Sequence, residues 1–104
     1  MPAQWMKTYI NNGDERLNGS LLLTLLALAY NADTGGFLMP PPSEALIAKQ
    51  TRLGVEQVSV DLEKLGDLGY LFRYRGVGST WRYYFLNDPE VPKDGQTDKE
   101  GKQI

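Results

Sequence analysis

The spacing of apolar residues changes in the central part of the chain, and this change separates a helix from two strands. Five apolar residues recur at steps of three and four, which places them on one helix face: Val55, Val58, Leu62, Leu65 and Leu68. Gly69 follows them, where a left-handed residue commonly ends a helix. Residues 70–75 and 80–86 are rich in aromatic residues, and the glycine-containing segment 76–79 between them suits a hairpin loop. We therefore predict a helix with one buried face, followed by a β-ribbon.

Two more helices are predicted before this unit. Residues 20–31 place leucine and alanine around nearly the whole circumference of a helix, so this helix must be buried on more than one side. Ser43 is a good N-cap for the next helix, on which Leu46 and Ile47 are expected to face inward. A turn at residues 52–54 then leads into the helix that begins at Val55.

The two ends of the chain are predicted to lie outside the main folded unit. Residues 1–18 are interpreted as an N-terminal arm, extended and packing Trp5 or Ile10 on the body. Residues 19–88 hold the periodic segments and are expected to form one domain. Residues 89–104 contain almost no apolar side chains, so they are predicted to be a disordered tail.

The run AKQTRLGVEQVSVDLEKLGDLGYLFRY, residues 48–74, resembles the core of winged helix-turn-helix domains. Such domains occur in GntR-like and MarR-like bacterial regulators and in replication proteins of phages and plasmids. The matching positions are Ala48 and Leu53 around the turn, Val58, Leu62 and Leu65 in the second helix, and the helix-ending Leu68-Gly69-Tyr70-Leu71. The resemblance, over about residues 19–86, implies an α+β fold of three helices with a β-hairpin wing. It also implies that residues 37–39 form a short first strand and that the helix from Val55 is the recognition helix.

The composition argues against catalysis. The chain contains no cysteine and no histidine, which removes disulfides, thiolate zinc sites and thiol or imidazole chemistry. No spacing of carboxylates, lysines or hydroxyls pairs an acid with a base. Gly76 and Gly78 lie between two strands, whereas a phosphate-binding loop joins a strand to a helix. We therefore expect no enzyme activity, no cofactor and no metal site.

The overall charge gives no support to a nucleic-acid binder. The formal net charge is -2, and residues 1–88 hold eight Lys/Arg against nine Asp/Glu. Since DNA affinity depends on neutralising phosphates, the position of each charge matters more than the total. The apolar stretch 21–30 is too short to span a bilayer, which needs about 20 residues, and the N-terminus has no signal-peptide pattern. We expect a cytoplasmic protein that does not enter a membrane.

The outward face of the predicted recognition helix supplies candidate base contacts. Counting 100° per residue from Val58, this face contains Glu56, Gln57, Val60, Glu63, Lys64 and Asp67, with Ser59 at its edge. Gln57 could pair with adenine, and Glu56 with a cytosine amino group. Val60 could meet a thymine methyl, and Ser59 a phosphate or a base. Winged helix-turn-helix domains usually carry Arg, Lys, Ser or Thr here, whereas this face has three carboxylates and one lysine.

Anchoring charges must therefore come from around this helix. The candidates are Lys49 and Arg52 near the turn, Lys64 on the helix, and Arg73, Arg75 and Arg82 in the wing. Arg73 and Arg75 are two residues apart and so share a strand face, which Arg82 of the returning strand can join. This predicts a small basic patch interleaved with the aromatic residues Tyr74, Trp81 and Tyr83. The alternative is an ordinary solvated strand face with the aromatics in the core.

Two functions are consistent with these features. The first is a sequence-specific double-stranded DNA-binding protein, acting as a transcriptional regulator or a replication accessory factor of a phage, plasmid or bacterium. It would be a homodimer if the outer face of helix 20–31 pairs with a second copy, and a monomer if that helix is only the centre of a small domain. The second is a winged helix used for protein contact, in which the acidic recognition helix docks on a polymerase or another replication component.

Overall fold

The computed structural model describes residues 3–79 and 81–89. Within these ranges the chain forms four α-helices and a three-stranded antiparallel sheet. The helices are α1 (Ala3–Asn11), α2 (Gly19–Asn31), α3 (Glu44–Thr51) and α4 (Val55–Leu68), and the strands are β1 (Phe37–Leu38), β2 (Leu71–Arg75) and β3 (Trp81–Leu86). A 3-10 turn, Val77–Ser79, follows β2. The predicted α+β class is confirmed, while residue 80 and most of the predicted tail, residues 90–104, lie outside the described residues.

The ends of α3 and α4 are set by the residues that flank them. Ser43 Oγ accepts a hydrogen bond from the Leu46 N–H at 3.0 Å, so the predicted N-cap of α3 is confirmed. Arg52 ends α3 in the left-handed region, with φ of 64°, which turns the chain sharply towards α4. Gly69 ends α4 with φ of 88°, as its position predicts, because glycine adopts this conformation without a Cβ clash.

The sheet has the strand order β1-β3-β2, and its inner face closes the core. Leu71 pairs with Leu86, and Leu38 pairs with Tyr84, and all four side chains are buried. Because side chains alternate across a strand, the residues next to these four along each strand point to the outer face of the sheet. The pairing of β2 with β3 slips at Tyr74 and Arg75, where a β-bulge leaves one residue of β3 unpaired.

The N-terminal segment is a helix, so its prediction as an extended arm is wrong, and the described chain has four helices instead of three. Trp5, Met6 and Tyr9 recur at helical spacing, and they form the face that packs on the core, with Tyr9 buried. The predicted contact of Trp5 with the body is confirmed, whereas Ile10 is exposed. The segment is helical because this apolar face can be buried against α2.

Trp5 fixes α1 to the loop before β1. Its Nε1 donates a hydrogen bond to the Thr34 carbonyl at 3.2 Å. Gly36 has φ of 88°, and a Cβ at this position would lie 2.8 Å from Trp5 Cζ2, so a side chain would displace the indole ring. The Gly36 carbonyl also accepts a hydrogen bond from the Leu86 N–H at 2.8 Å. Gly36 therefore contacts both α1, through Trp5, and the end of β3, through Leu86.

α2 is the central helix of the core, since it contacts α1, α3 and α4. On α4, Val58, Leu62 and Leu65 are buried as predicted, but Val55 is 47% exposed because it lies at the first position of the helix. Leu46 of α3 was also expected inward and is exposed. None of the helices in the described ranges is long and apolar enough to cross a bilayer.

A polar network around the buried residues Asp14 and Tyr70 attaches the loop after α1 to the start of β2. Asp14 accepts three side-chain hydrogen bonds from Arg16, at 2.8, 2.9 and 3.2 Å, and one from the Tyr70 hydroxyl at 2.5 Å. The Arg16 hydrogen bonds lower the pKa of Asp14 from its ordinary value of 3.8 to about 2. Burial raises the pKa of Tyr70 to about 12, so its hydroxyl stays protonated and can donate to Asp14. Asn12 Nδ2 donates to the Tyr70 hydroxyl at 3.0 Å and completes the network.

Candidate nucleic-acid interface

The outward face of α4 has the composition that its periodicity predicts. Glu56, Gln57, Val60, Glu63, Lys64 and Asp67 are exposed, and Ser59 is half-buried at the edge. Val60 is 52% exposed, which leaves an apolar side chain available among the charged ones. Ser59, Val60, Glu63, Lys64 and Asp67 line a shallow depression of about 240 Å³ along the helix.

Gln57 is held in place by a buried carboxylate that the sequence analysis did not identify. Gln57 Nε2 donates to Asp61 Oδ1 at 3.0 Å, and Thr24 Oγ1 of α2 donates to Asp61 Oδ2 at 3.0 Å. Asp61 is only 2% exposed, and both of these donors are neutral. The sequence does indicate that Asp61 is buried, because it lies on the apolar side of α4, three residues after Val58 and four before Leu65.

This contact orients the Gln57 amide. A carboxylate accepts hydrogen bonds only, so the amide nitrogen of Gln57 turns towards Asp61 and the amide oxygen turns away from it. The oxygen and the second N–H of Gln57 stay available, and these two groups can meet N6 and N7 of an adenine. Asp61 therefore acts as a positioning residue for the candidate base contact of Gln57.

The two basic residues near the turn, Lys49 and Arg52, are both exposed. Lys49 lies in the last turn of α3, where a positive charge suits the helix dipole. Arg52 Nη1 donates to the Lys49 carbonyl at 3.0 Å, so one N–H of its guanidinium already caps the helix end. The remaining donors of Arg52 can reach a phosphate.

The hairpin of β2 and β3 brings two of its three arginines together around one indole ring. The guanidinium carbon of Arg73 lies 4.6 Å from the centre of the Trp81 ring, and that of Arg75 lies 4.3 Å from it. The expected shared strand face of Arg73 and Arg75 is thus confirmed. Arg82 is the residue of β3 that the bulge leaves unpaired, and its side chain packs over Gly76.

The aromatic residues of the hairpin do not interleave with the arginines as expected. Trp81 alone contacts Arg73 and Arg75, whereas Tyr74 and Tyr83 point to the opposite, outer face of the sheet. The outer face consists of five rings, here called the aromatic face: Phe37, Phe72, Tyr74, Tyr83 and Phe85. The alternative in which the aromatics belong to the core does not describe these five residues, since none of them is buried.

The comparisons with known proteins add nothing to this geometry. No protein-family model, no curated protein and no solved structure matches the chain. The resemblance to winged helix-turn-helix domains therefore stays a prediction, which rests on the residues quoted for it and on the order of helices and strands.

Charge is distributed unevenly between the two candidate contact elements. α4 carries Glu56, Asp61, Glu63 and Asp67 against Lys64, a net charge of -3. Residues 70–86 carry three arginines and no carboxylate, a net charge of +3. In the described residues no group of three or more Asp or Glu side chains is placed to hold a metal ion. A polyanion is therefore attracted by the hairpin and repelled by much of the α4 surface.

Proposed function

We propose that this protein is a winged helix-turn-helix protein that binds double-stranded DNA. In this proposal α3 and α4 are the helix-turn-helix, the hairpin of β2 and β3 is the wing, and α4 enters the major groove. The order α2, β1, α3, α4, β2, β3 is the order that the sequence resemblance implies. Gln57 and Val60 are the proposed base contacts, with Glu56 and Ser59 beside them.

The observation that carries the proposal is the cation–π contact of Arg73 and Arg75 with Trp81. A guanidinium that contacts a ring in this way can still donate its N–H groups to phosphate oxygens, often in pairs. The contact also reduces the rotamer freedom of two long side chains before DNA arrives, which lowers the entropic cost of binding.

The test is a salt titration of the purified protein with a random-sequence duplex. We expect measurable binding at low ionic strength and a log-log slope of about -0.9 for each phosphate that the protein neutralises. Sequencing of fragments selected from a random pool would then give the preferred site. If no duplex binds at low ionic strength, the proposal is wrong.

We further propose that the protein binds DNA as a homodimer. Met6 of α1 and Leu23, Leu26 and Tyr30 of α2 line an apolar groove of about 510 Å³ at the surface. Leu23 and Tyr30 are exposed although they belong to the central helix, and a second copy would cover them. Sedimentation of the wild type and of Leu23→Glu tests this point: we expect a dimer that the charged variant dissociates.

A second candidate function is protein contact through α4. It is favoured by the exposed Val60 amid carboxylates on this helix, which suits a basic protein surface better than a polyanion. In that case Val60→Lys should abolish partner binding, because it replaces the apolar contact with a charge of the partner's own sign, and neutralising Arg73 and Arg75 should have little effect. The proposed partner class is a basic surface on a polymerase or another replication protein.

A further inference from the structure

We propose that Thr24, a core residue of α2, determines how well α4 discriminates between base pairs. Thr24 Oγ1 donates to Asp61 Oδ2 at 3.0 Å, and Gln57 Nε2 donates to Asp61 Oδ1 at 3.0 Å. Thr24 is thus a positioning residue that acts on Gln57 through the Asp61 carboxylate. This inference rests on the proposed function, in which Gln57 contacts a base, and extends the reading site to a second helix.

The Thr24 hydroxyl donates to a different kind of partner from those of other helical threonines in this chain. A threonine inside a helix can donate to the carbonyl four residues earlier. Thr8 donates in this way to the Gln4 carbonyl at 3.0 Å, and Thr51 to the Ile47 carbonyl at 2.8 Å. A hydroxyl has one hydrogen, and Thr24 donates it across the core to α4. Its side chain therefore connects two helices.

The packing of the core does not require this polar pair. Thr24 is 0% exposed and Asp61 is 2% exposed, and Thr24 lies between two leucines in the sequence. Burying a carboxylate is costly, whereas replacing both partners of a hydrogen bond with apolar groups of the same shape can be neutral or stabilising. The pair therefore needs a reason other than stability. The exposed side chain that it holds is Gln57, on the outward face of α4.

The two hydrogen bonds fix the order of the groups that Gln57 presents to DNA. Thr24 holds one carboxylate oxygen from the side of α2, so the other oxygen stays directed at the Gln57 amide. The amide then presents its oxygen and its second N–H in one order, which matches the N6 donor and N7 acceptor of adenine. Without the Thr24 hydroxyl the carboxylate can rotate, and part of this preorganisation is lost.

The test compares the base discrimination of variants whose cores stay packed. Thr24→Val removes the hydroxyl and keeps the side-chain shape, and Thr24→Val/Asp61→Val makes the pair apolar. Competition titrations with single-base variants of the selected duplex site measure the preference at the base pair that Gln57 contacts. In the double variant this preference should fall by about 5- to 150-fold, as in Gln57→Ala, while affinity for random duplex should not fall. Thr24→Val should show part of this loss, and Thr24→Ser should bind as the wild type does.

Three further measurements separate positioning from a purely structural role. Tyr9→Phe also removes one buried hydroxyl hydrogen bond, which Tyr9 donates to the Asn87 carbonyl at 2.8 Å, and it should lower the unfolding temperature without changing discrimination. Adding Gln57→Ala to Thr24→Val/Asp61→Val should cause no further loss of discrimination, because both changes remove the same contact. In the DNA-free protein, the NMR signals of the Gln57 side-chain amide should shift in Thr24→Val and keep their wild-type positions in Thr24→Ser.

Several results would overturn this inference and leave DNA binding intact. One is a folded Thr24→Val/Asp61→Val variant that discriminates as the wild type does. Another is a loss that adds to that of Gln57→Ala, since the pair would then act independently of Gln57. If the double variant does not fold, unchanged Gln57 amide signals and unchanged discrimination in Thr24→Val have the same meaning. A wild type that binds no duplex at low ionic strength overturns the proposed function and this inference together.

Discussion

α4 and the β2–β3 hairpin are neighbouring elements with opposite charge. On α4 the exposed carboxylates of Glu56, Glu63 and Asp67 outnumber the single lysine, whereas the hairpin carries arginines and no carboxylate. The formal net charge of -2 averages these two surfaces and describes neither of them. If the protein binds DNA as proposed, the hairpin would supply the affinity for the polyanion, while α4 would contribute selectivity at the cost of repulsion.

The two elements also differ in the buried carboxylate that supports each of them. Asp61 beneath α4 accepts hydrogen bonds from the neutral side chains of Thr24 and Gln57. Asp14, at the base of the hairpin, accepts from the guanidinium of Arg16 and from Tyr70. Hydrogen bonds from a charged donor are about twice as strong as neutral ones, so the contact between Asp14 and Arg16 is the stronger of the two attachments.

The largest effect is expected from the hairpin arginines. Replacing Arg73 and Arg75 with alanine removes two phosphate contacts, so duplex affinity at 50 mM salt should fall on the order of 100-fold. The log-log salt slope should become shallower by about 1.8. Lys7→Ala, on the exposed side of α1, is the control and should change neither quantity. An unchanged slope in the double variant would remove the hairpin from the proposed interface.

The second-largest effect is expected on the base-pair discrimination that is proposed for α4. Gln57→Ala should reduce discrimination at one base pair by about 1–3 kcal/mol while affinity for random duplex changes little. Asp61→Asn should have part of the same effect, because an asparagine no longer dictates which way the Gln57 amide points. The measurement is a competition titration with single-base variants of the selected site. Equal loss on every sequence would instead assign Gln57 to a phosphate.

A smaller effect of opposite sign is expected from the acidic residues of α4. Glu63→Gln with Asp67→Asn removes two repulsive charges, each worth at most about 1 kcal/mol beside a phosphate in water. Duplex affinity should therefore rise several-fold. Under the protein-contact alternative the same variant should weaken binding of a basic partner. A drop in duplex affinity would contradict the proposed orientation of α4.

The smallest effect concerns stability. The pKa of Asp14 is lower in the folded protein than in the unfolded chain, so its ionised form stabilises the fold above pH 4. This contribution should disappear as the pH falls from about 4 to 2, by on the order of 1 kcal/mol after allowance for the partly exposed Arg16. Urea unfolding of the wild type and of Asp14→Asn across this range provides the measurement. The stability of Asp14→Asn should lack this pH dependence. If both proteins lose stability to the same extent as the pH falls, Asp14 is not the source of the effect.

Much of the fold could be predicted from local sequence. The apolar period of α4, its end at Gly69 and the cap at Ser43 each depend on neighbouring residues, and all three are confirmed. The helical nature of α1 was missed because residues 4–10 are apolar at an ambiguous spacing. These residues form a stable helix only because α2 is present to cover their apolar face.

The candidate site was less predictable because it depends on contacts between elements. The exposed side of α4 follows from its period alone. The separation of Trp81 from Tyr74 and Tyr83 depends on the bulge in the β2–β3 pairing, which moves residues between faces and has no clear local signal. Asp61 finds a partner in Thr24 only because α2 crosses α4 at that point.

The position of β2 at one edge of the sheet has a consequence for handling the protein. The backbone groups on its free side could pair with a strand of another molecule and extend the sheet into aggregates. Arg73 and Arg75 lie on this edge strand, and the bulge beside them distorts its line, two features that oppose such growth. The same two arginines that are proposed to attract DNA thus help to keep the molecules apart in its absence.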